Sequence, residues 1–462
     1  MITSFLRTTL AVFSILIAGL GAIAAPLGPP TPLAISENSR YLVHTDGTPF
    51  FYLADTAWEL FHRLDREEAE LYLRNRADKG FTVIQAVALG ELEGLTVGNA
   101  FNELPFIDMD ASRPNEQYFA HVDWIVEKAA SLGLYIGLLP SWGCWVGGND
   151  PGQPNNDFIN GNNAAAYGAY LAQRYVDKPI IWILGGDRMP TNSRAAWEAM
   201  AAGIRSVVGK DQLISYHPSL EYNGELHDAP WLDFTMIQSA HSSSTTNYVG
   251  IEREYARMPV KPCMDSEPAY EFPPGTAPAH IDVGPTQIRR NAYWAIFAGA
   301  HGHAYGTHPV WQMYDVGRKS EWFAQSPWHQ NLDLPGVSQL PFLKRLMLSR
   351  PFLTRIPDQS VIASDIPQGL ARLQATRDGV AGAQDATYLM VYFPQHARAS
   401  INTALIGSPS LKGWWFNPRT GVSTAIEAWA NAAVKEFETP NDQEDADWIL
   451  IIDDGTKTYQ AP

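Results

Sequence analysis

The stretch Ile180-Ile-Trp-Ile-Leu-Gly-Gly-Asp-Arg188 decides the fold that we predict for this chain. Five consecutive apolar residues are typical of a strand that is buried on both faces, as in a parallel sheet, and the two glycines then lead the backbone out of it. Asp187 therefore lies at the carboxyl end of the strand, where α/β folds bind ligands and place catalytic groups. A second segment, Val260-Lys-Pro-Cys-Met-Asp-Ser-Glu267, ends in a carboxylate in the same way.

Segments that are typical of strands and of helices alternate on both sides of this stretch. We predict strands at residues 51–55, 82–88, 135–141, 180–184, 213–219, 233–240, 260–267 and 303–310, with helices at 65–79, 115–133, 163–175, 193–208, 284–300 and 334–349. Such alternation implies parallel pairing through right-handed crossovers, and eight units match an α/β fold of the (β/α)8 or TIM-barrel type. A doubly wound open sheet is the alternative, although no G-x-G-x-x-G motif follows the first strand.

The two ends of the sequence differ in character from this central region. At residues 1–25, Arg7 precedes an apolar run that ends in Ala22-Ile-Ala-Ala25, which predicts a secretory signal peptide rather than a membrane anchor. Residues 26–357 then hold the barrel, preceded by a hairpin with Asp46-Gly47 in its turn. Residues 358–462 contain short β-rich runs at 361–363, 369–376, 387–393, 413–417, 434–438 and 448–452, which predict a small all-β sandwich.

The composition favours some partners and excludes others. The chain of 462 residues has a formal net charge of −16 and no cluster of Lys and Arg, so nucleic acid is not an expected partner. Its 15 Trp and 19 Tyr suit an oligo- or polysaccharide, because flat aromatic faces stack on sugar rings. We expect a secreted, extracellular monomer without membrane attachment after signal cleavage. One disulfide is possible in an oxidising compartment, but Cys144 and Cys263 fall on the third and seventh strands, nearly opposite across the barrel, which argues against pairing.

Polar or aromatic side chains follow each predicted strand, as they do on the catalytic face of a barrel. We interpret Asp187 and Glu267 as a carboxylate pair that flanks a glycosidic bond, one as proton donor and the other as nucleophile or base. The alternative for Asp187 is a role as helix N-cap or salt-bridge partner. Strand alternation places Asp265 on the same side as Glu267 but deeper in the barrel. The candidate substrate-binding residues are Asp55, Trp58, Gln85, Glu91, Trp142, His217, Gln238, His241, His308 and Trp311.

Histidines near the eighth strand raise the question of a metal site. His301, His303 and His308 include the His-x-His spacing of many metal ligands, but no carboxylate is spaced to complete a facial triad. Buried histidines of barrels more often form hydrogen bonds within the protein or to substrate. No G-x-S-x-G motif indicates a serine hydrolase. We therefore predict neither a metal nor a cofactor.

Five segments carry a resemblance to a known family: Tyr52-Leu-Ala-Asp-Thr-Ala-Trp-Glu-Leu-Phe61, Gly80-Phe-Thr-Val-Ile-Gln85, Ile181-Trp-Ile-Leu-Gly-Gly-Asp-Arg188, Asp265-Ser-Glu-Pro268 and Tyr305-Gly-Thr-His-Pro-Val-Trp-Gln-Met313. Over roughly residues 33–355 the sequence resembles the apiosidase-like glycoside hydrolases, family 140, and the tail resembles the sandwich domain that usually follows this catalytic domain. The resemblance implies a secreted barrel enzyme that releases apiofuranosyl units attached to rhamnose in the rhamnogalacturonan II side chains of plant pectin. It places the catalytic pair on Asp187 and Glu267.

Our hypothesis is therefore a secreted glycosidase in which Asp187 is the general acid/base and Glu267 the nucleophile of a retaining mechanism. Gly186-Asp187 stands where larger retaining barrel glycosidases usually carry Asn-Glu, which leaves open which carboxylate is the acid. An inverting mechanism, another furanosidase, an endo-acting glycosidase and a non-catalytic carbohydrate-binding protein are the alternatives.

Overall fold

A small antiparallel sheet precedes the barrel and covers its lower end. The computed structural model describes residues 30–147, 157–220, 224–239, 241–278, 281–440 and 446–462, so the predicted signal peptide and the centre of the loop at 143–161 lie outside the described residues. The sheet comprises β1 (Leu33–Ile35), β2 (Leu42–His44) and β3 (Pro49–Phe50). Its β2–β3 hairpin confirms the predicted turn, in which Gly47 has a φ of +84°. Strand β1 was not predicted.

Eight parallel strands form the barrel, which confirms the predicted fold class. They are β4 (Tyr52–Thr56), β5 (Val83–Val87), β6 (Tyr135–Leu139), β7 (Ile180–Gly185), β8 (Ile214–His217), β9 (Thr235–Gln238), β10 (Cys263–Glu267) and β11 (Gly302–Tyr305). Their hydrogen-bonded order is β8-β7-β6-β5-β4-β11-β10-β9. At the seam between β8 and β9, the Asp233 N–H donates to the Ile214 carbonyl at 2.9 Å, and the Ser215 hydroxyl donates to the Phe234 carbonyl at 2.7 Å.

Helices surround these strands and follow most of the predicted positions. They are α1 (Leu60–Arg63), α2 (Arg66–Asp78), α3 (Glu116–Ser131), α4 (Ala164–Arg174), α5 (Arg194–Val208), α6 (Tyr248–Tyr255), α7 (Pro285–Phe297), α8 (His308–Trp311) and α9 (Pro335–Leu348). Asp65 and Glu68 form the capping box that begins α2. Helix α6, between β9 and β10, was not predicted, and the predicted eighth strand is wrong beyond Tyr305, because α8 follows it.

The barrel interior is a packed core that supports a polar mouth. The side chains of Leu33, Leu42 and Phe50 from the small sheet fill the lower end, against Tyr52 and Tyr135. Apolar residues of the strands fill the middle, and four large aromatic side chains complete the same cluster above them: Trp58, Trp142, Tyr270 and Trp311. The mouth therefore has a rigid aromatic wall.

The tail folds as the predicted β-rich domain. Its strands are β12 (Arg355–Pro357), β13 (Gln374–Asp378), β14 (Tyr388–Phe393), β15 (Arg398–Asn402), β16 (Ser410–Asn417), β17 (Val422–Ala430), β18 (Val434–Glu438) and β19 (Trp448–Asp454). A six-stranded sheet of order β12-β13-β14-β19-β16-β17 and the β15–β18 pair enclose a separate apolar core. Strands β15 and β17 were not predicted, and the strand predicted at 361–363 is wrong, because a short 3-10 helix occupies Gln359–Val361.

The two domains share buried contacts. Arg289 on α7 donates to Asp447 through Nη2 at 2.9 Å, and Arg350 after α9 donates to Asp453 through Nη2 at 2.8 Å, with all four side chains buried. The Tyr293 ring stacks on Tyr392, with centroids 5.1 Å apart and planes 13° from parallel. One face of the six-stranded sheet packs against the helices of the barrel, and the two together form a single apolar cluster.

Two further expectations concern membranes and disulfides. Among the described residues, no helix has the length and apolar character needed to cross a bilayer. Cys144 is a half-buried free thiol, and Cys263 is a buried free thiol.

Candidate active site

The end of β7 has an unusual backbone that only this sequence allows. Gly185, Gly186 and Asp187 have φ angles of +95°, +99° and +53°. A Cβ on Gly185 would lie 2.2 Å from the His217 carbonyl oxygen, and one on Gly186 would lie 2.9 Å from the Trp142 ring. Glycine is therefore required at both positions, and it places Asp187 in a left-handed conformation that is rare for residues with a Cβ. Such strain is concentrated at functional sites.

Glu267 reaches the mouth through an irregularity in β10. The pairing register with β9 shifts between Asp265 and Glu267, which interrupts strand alternation. The prediction that Asp265 lies on the same side as Glu267 is wrong: its carboxylate accepts hydrogen bonds from the Ser239 hydroxyl at 2.7 Å and from Asn247 Nδ2 at 2.9 Å. Asn247 in turn donates to the Asn291 carbonyl of α7, so Asp265 points into the helix layer.

The two predicted catalytic carboxylates lie close together, with His217 between them. A carboxylate oxygen of Asp187, one of Glu267 and a ring nitrogen of His217 all lie within 4.8 Å of one another. His217 Nε2 is 2.9 Å from Glu267 Oε2, and His217 Nδ1 is 3.6 Å from Asp187 Oδ1. His241 Nε2 approaches Glu267 Oε1 at 3.2 Å, and Gln238 Nε2 donates to Asp187 Oδ1 at 2.9 Å.

These contacts give the two carboxylates opposite preferences for a proton. Burial opposes ionisation of Glu267, but hydrogen bonds from His217 and His241 outweigh it and hold the pKa of Glu267 well below its ordinary value. Burial raises the pKa of Asp187, and the negative charge of Glu267 raises it further. Although burial opposes it, hydrogen bonding to Glu267 raises the pKa of His217. The pair therefore holds one ionised and one protonated carboxyl group.

A cavity of about 420 Å³ opens over this pair. Seven of the predicted substrate-binding residues line it: Trp58, Glu91, Trp142, Gln238, His241, His308 and Trp311. His217 is completely buried beneath them, where its ring packs against Trp58 and Trp142 at centroid distances of 5.2 and 6.1 Å. Within the cavity wall, burial and the nearby Glu59 charge raise the pKa of Glu91 to about 7, against the opposing charge of Arg188.

Besides His217, two predicted substrate-binding residues do not reach the cavity. Asp55 is fully buried and accepts hydrogen bonds from Tyr72 at 2.5 Å and from Arg76 Nε at 2.6 Å, both on α2. Its carboxylate therefore points into the helix layer, and the prediction of a substrate contact is wrong. Gln85 is also wrong, because it points into the barrel below the site, where its Nε2 donates to the Ser266 carbonyl at 3.1 Å.

Five residues line the cavity without having been predicted as substrate contacts: Arg188, Ser219, Leu220, Tyr270 and Trp322. Arg188 follows Asp187 directly, and Tyr270 comes three residues after Glu267, so proximity in sequence was an available signal for both. Trp322 is different, because it lies in a loop after α8, far from any strand end. Its side chain is 64% exposed, and no spacing in the sequence indicates its position.

The histidines considered as metal ligands lie in separate surroundings. His301 packs against Tyr52 and Phe234, whereas His308 packs against Tyr270 and Phe272. Burial lowers the pKa of His301, His303 and His308 to about 3, so each is neutral.

In the part of the chain that the structure describes, the group of three that could hold a metal ion is Asp187, His217 and Glu267. Both ring nitrogens of His217 face a carboxylate of that group, one at 2.9 Å and one at 3.6 Å. This arrangement fits a proton-sharing carboxylate pair better than a metal centre, whose histidine ligand needs one nitrogen directed at the ion.

Comparison with known proteins identifies the family. A family model described as "Apiosidase-like, catalytic domain" matches residues 36–354, which is more than half of the chain. The chain belongs to the apiosidase-like glycoside hydrolases. This apiosidase-like hydrolase is similar to a solved structure described as a glycoside hydrolase, with 33% identity, a TM-score of 0.83, and coverage of 93% of this chain and 98% of the other.

Other comparisons agree with this assignment. A structure described as a glycoside hydrolase family 5 from Bacteroides vulgatus ATCC 8482 is 32% identical with a TM-score of 0.84, over 93% of the apiosidase-like chain and 95% of the other. A second family model, "Putative collagen-binding domain of a collagenase", matches residues 356–453. No curated protein matches. The chain is therefore a glycoside hydrolase with a carbohydrate substrate, and the predicted enzyme class is confirmed.

Proposed function

We propose that this protein is a retaining family 140 hydrolase that releases apiofuranosyl units from the rhamnogalacturonan II side chains of pectin. The observation that carries the mechanism is the close Asp187–Glu267 pair with opposite proton preferences. The family match supports the sugar, and the aromatic residues of the cavity offer surfaces on which a sugar ring stacks.

The first chemical step uses both carboxyl groups at once. Protonated Asp187 donates its proton to the glycosidic oxygen while ionised Glu267 attacks the anomeric carbon, so the carbon–oxygen bond to the leaving sugar breaks as the Glu267 ester forms. The leaving sugar departs as an alcohol. In the second step Asp187 removes a proton from water, the water oxygen bonds to the anomeric carbon, and Glu267 is released as a carboxylate.

The spacing of the pair supports retention of configuration. Oxygens of the two carboxylates lie within 4.8 Å. Retaining glycosidases have carboxyl groups about 5–5.5 Å apart, whereas inverting enzymes need about 6.5–9.5 Å to admit a water molecule.

We also propose that the enzyme acts outside the cell as a monomer. Its sequence begins with a segment that has the pattern of a secretory signal, and a cell-wall polymer is accessible only to a secreted enzyme. The net charge of −16 favours colloidal solubility at neutral pH.

The test is product release from rhamnogalacturonan II oligosaccharides by the wild type and by the variants Asp187→Asn and Glu267→Gln. We expect free apiose from the wild type and a loss of at least about a hundredfold in each variant, because each removes one partner of the acid–nucleophile pair. Asp177→Asn, on the exposed surface after α4, is the control. Near wild-type turnover in both variants would refute the assignment. Binding without product release by the wild type would identify a carbohydrate-binding protein instead.

A further inference from the structure

A second cavity of about 400 Å³ adjoins the first on the side of β8 and β9. The two cavities share Ser219, Leu220 and Gln238 in their walls. The remaining wall comes from the end of β9, from the segment 242–247 that leads into α6, and from Gly250 and Arg253 on α6 itself. Nothing in the two-step mechanism uses this second cavity.

Hydroxyl groups dominate its lining. Six Ser and Thr side chains line it, together with the Asn247 amide and the Arg253 side chain: Ser219, Ser239, Ser242, Ser244, Thr245 and Thr246. Of the described residues in its wall, none is acidic or aromatic. Hydroxyl groups both donate and accept hydrogen bonds, so such a surface matches a ligand that is itself rich in hydroxyl groups.

The polar wall is held in place from below. Asp265 accepts hydrogen bonds from the Ser239 hydroxyl and from Asn247, which also bonds to α7. Arg290, nearly buried on α7, donates to the Ser243 carbonyl at 2.6 Å. Ser239, Ser243 and Asn247 are therefore held in place before any ligand binds, which reduces the entropy cost of binding. Asp265 does not belong to the catalytic pair, and this network shows what it does instead: it holds the wall of the second cavity.

Gln238 relates the second cavity to the chemistry. Its side chain separates the two cavities, and its amide donates to Asp187 Oδ1 at 2.9 Å. In the mechanism proposed above, Asp187 protonates the oxygen of the leaving sugar, so that sugar must lie beside Asp187. The space beyond Gln238 is the second cavity.

We propose that the second cavity is a subsite that binds the leaving-group sugar through its hydroxyl groups. This inference rests on the proposed function, because it takes Asp187 as the acid. It has a direct consequence for substrate choice: a substrate whose leaving group is a sugar gains contacts that a substrate with a small aromatic leaving group does not make.

The test compares two substrates with the same transferred sugar. One is 4-nitrophenyl apiofuranoside, and the other is a rhamnogalacturonan II oligosaccharide from which the wild type releases apiose. We expect Ser242→Ala/Thr246→Ala to lower kcat/KM on the oligosaccharide about tenfold, since two ordinary hydrogen bonds are lost, and to leave kcat/KM on the aryl glycoside within about twofold. Ser131→Ala, at the end of α3 outside both cavities, is the matched control.

A variant that fills the second cavity with a large side chain tests the subsite without depending on the strength of individual hydrogen bonds. Thr246→Phe should reduce oligosaccharide cleavage further and spare the aryl glycoside, which also reports that the variant is folded. Equal kinetic effects on both substrates, or no effect of either variant on the oligosaccharide, would overturn the subsite. If the wild type cleaves neither substrate, it is the proposed function that fails.

Discussion

His217 is the residue that gives the two carboxylates different chemistry. It is completely buried, its ring is held by two Trp side chains, and its nitrogens face both acids. A buried pair of like charges is unfavourable, and a positive charge shared between them offsets that cost. His217 is therefore a positioning residue that keeps Glu267 ionised. The sequence predicted it as a substrate contact, whereas it is fully buried and does not line the cavity.

Replacement of His217 should move the pH profile of the enzyme. His217 favours the ionised form of Glu267 and of Asp187, so its removal raises the pKa of both groups. In His217→Asn we expect both limbs of the kcat/KM profile to move to higher pH, with a loss of about a hundredfold at the optimum. The measurement is kcat/KM from about pH 2.5 to 10, so that both limbs fall within the range, with the exposed His329→Asn as control. An unchanged acidic limb would show that His217 does not set the ionisation of Glu267.

At the scale of elements, the positions of the strand ends were predictable from the sequence. The direction in which each side chain points, into the barrel or toward the helices, was not. Buried apolar runs such as 180–184 identify strands through their length and composition, and the carboxyl end of a parallel strand faces the site by topology. Side-chain direction alternates with a period of two, so a one-residue irregularity reverses it. Strand β10 has such an irregularity between Asp265 and Glu267, so Asp265 does not share the side of Glu267. Strand β4 pairs regularly, and its ordinary alternation turns Asp55 toward helix α2, away from the site. Long-range loops such as the one carrying Trp322 have no local signal.

The turn after β7 should tolerate no side chain at Gly186. In Gly186→Ala the new Cβ meets both the Gly143 nitrogen and the Trp142 ring at 2.9 Å, so the turn and Asp187 must shift. We expect a loss of about 2–3 kcal/mol in the free energy of unfolding and a fall in kcat. Gly209→Ala is the control, because its φ is also positive, at +56°, but nothing lies within 4 Å of the added Cβ. Equal losses of unfolding free energy in the two variants would mean that the positive φ alone, and not the contacts of the added Cβ, requires glycine at position 186.

At the scale of the whole molecule, two domains that the sequence distinguishes share a buried interface. Family models divide it near residue 355, as composition also indicated. Contacts across that division could not be predicted, because Arg289 and Asp447 are 158 residues apart. Their burial makes the interface resemble a core rather than a mobile domain contact.

Removal of the Asp447 carboxylate should destabilise both domains together. It accepts hydrogen bonds from Arg289, Arg419 and Tyr392, and its loss leaves a buried guanidinium group unpaired. We expect Asp447→Ala to lower the free energy of unfolding by about 3 kcal/mol, within a single thermal transition. The control Asp333→Ala breaks an exposed ion pair with Lys79 and should cost less than about 1 kcal/mol. Two separate transitions in calorimetry would contradict the shared core.

The position of β19 has a consequence for how the protein is made. This strand is the latest of the described strands in the chain, yet it lies between β14 and β16 in the middle of its sheet. Asp447, just before it, bonds to Arg289 on α7, and Asp453, within it, bonds to Arg350 after α9. When the ribosome has synthesised the catalytic barrel, it has therefore not yet synthesised the strand and the two aspartates that contact the barrel helices. Until residue 454 is made, the sheet lacks its central strand and the barrel helices face water with unpaired arginines. A chain truncated before residue 447 would therefore lack both the central strand of this sheet and the two aspartates of the interface.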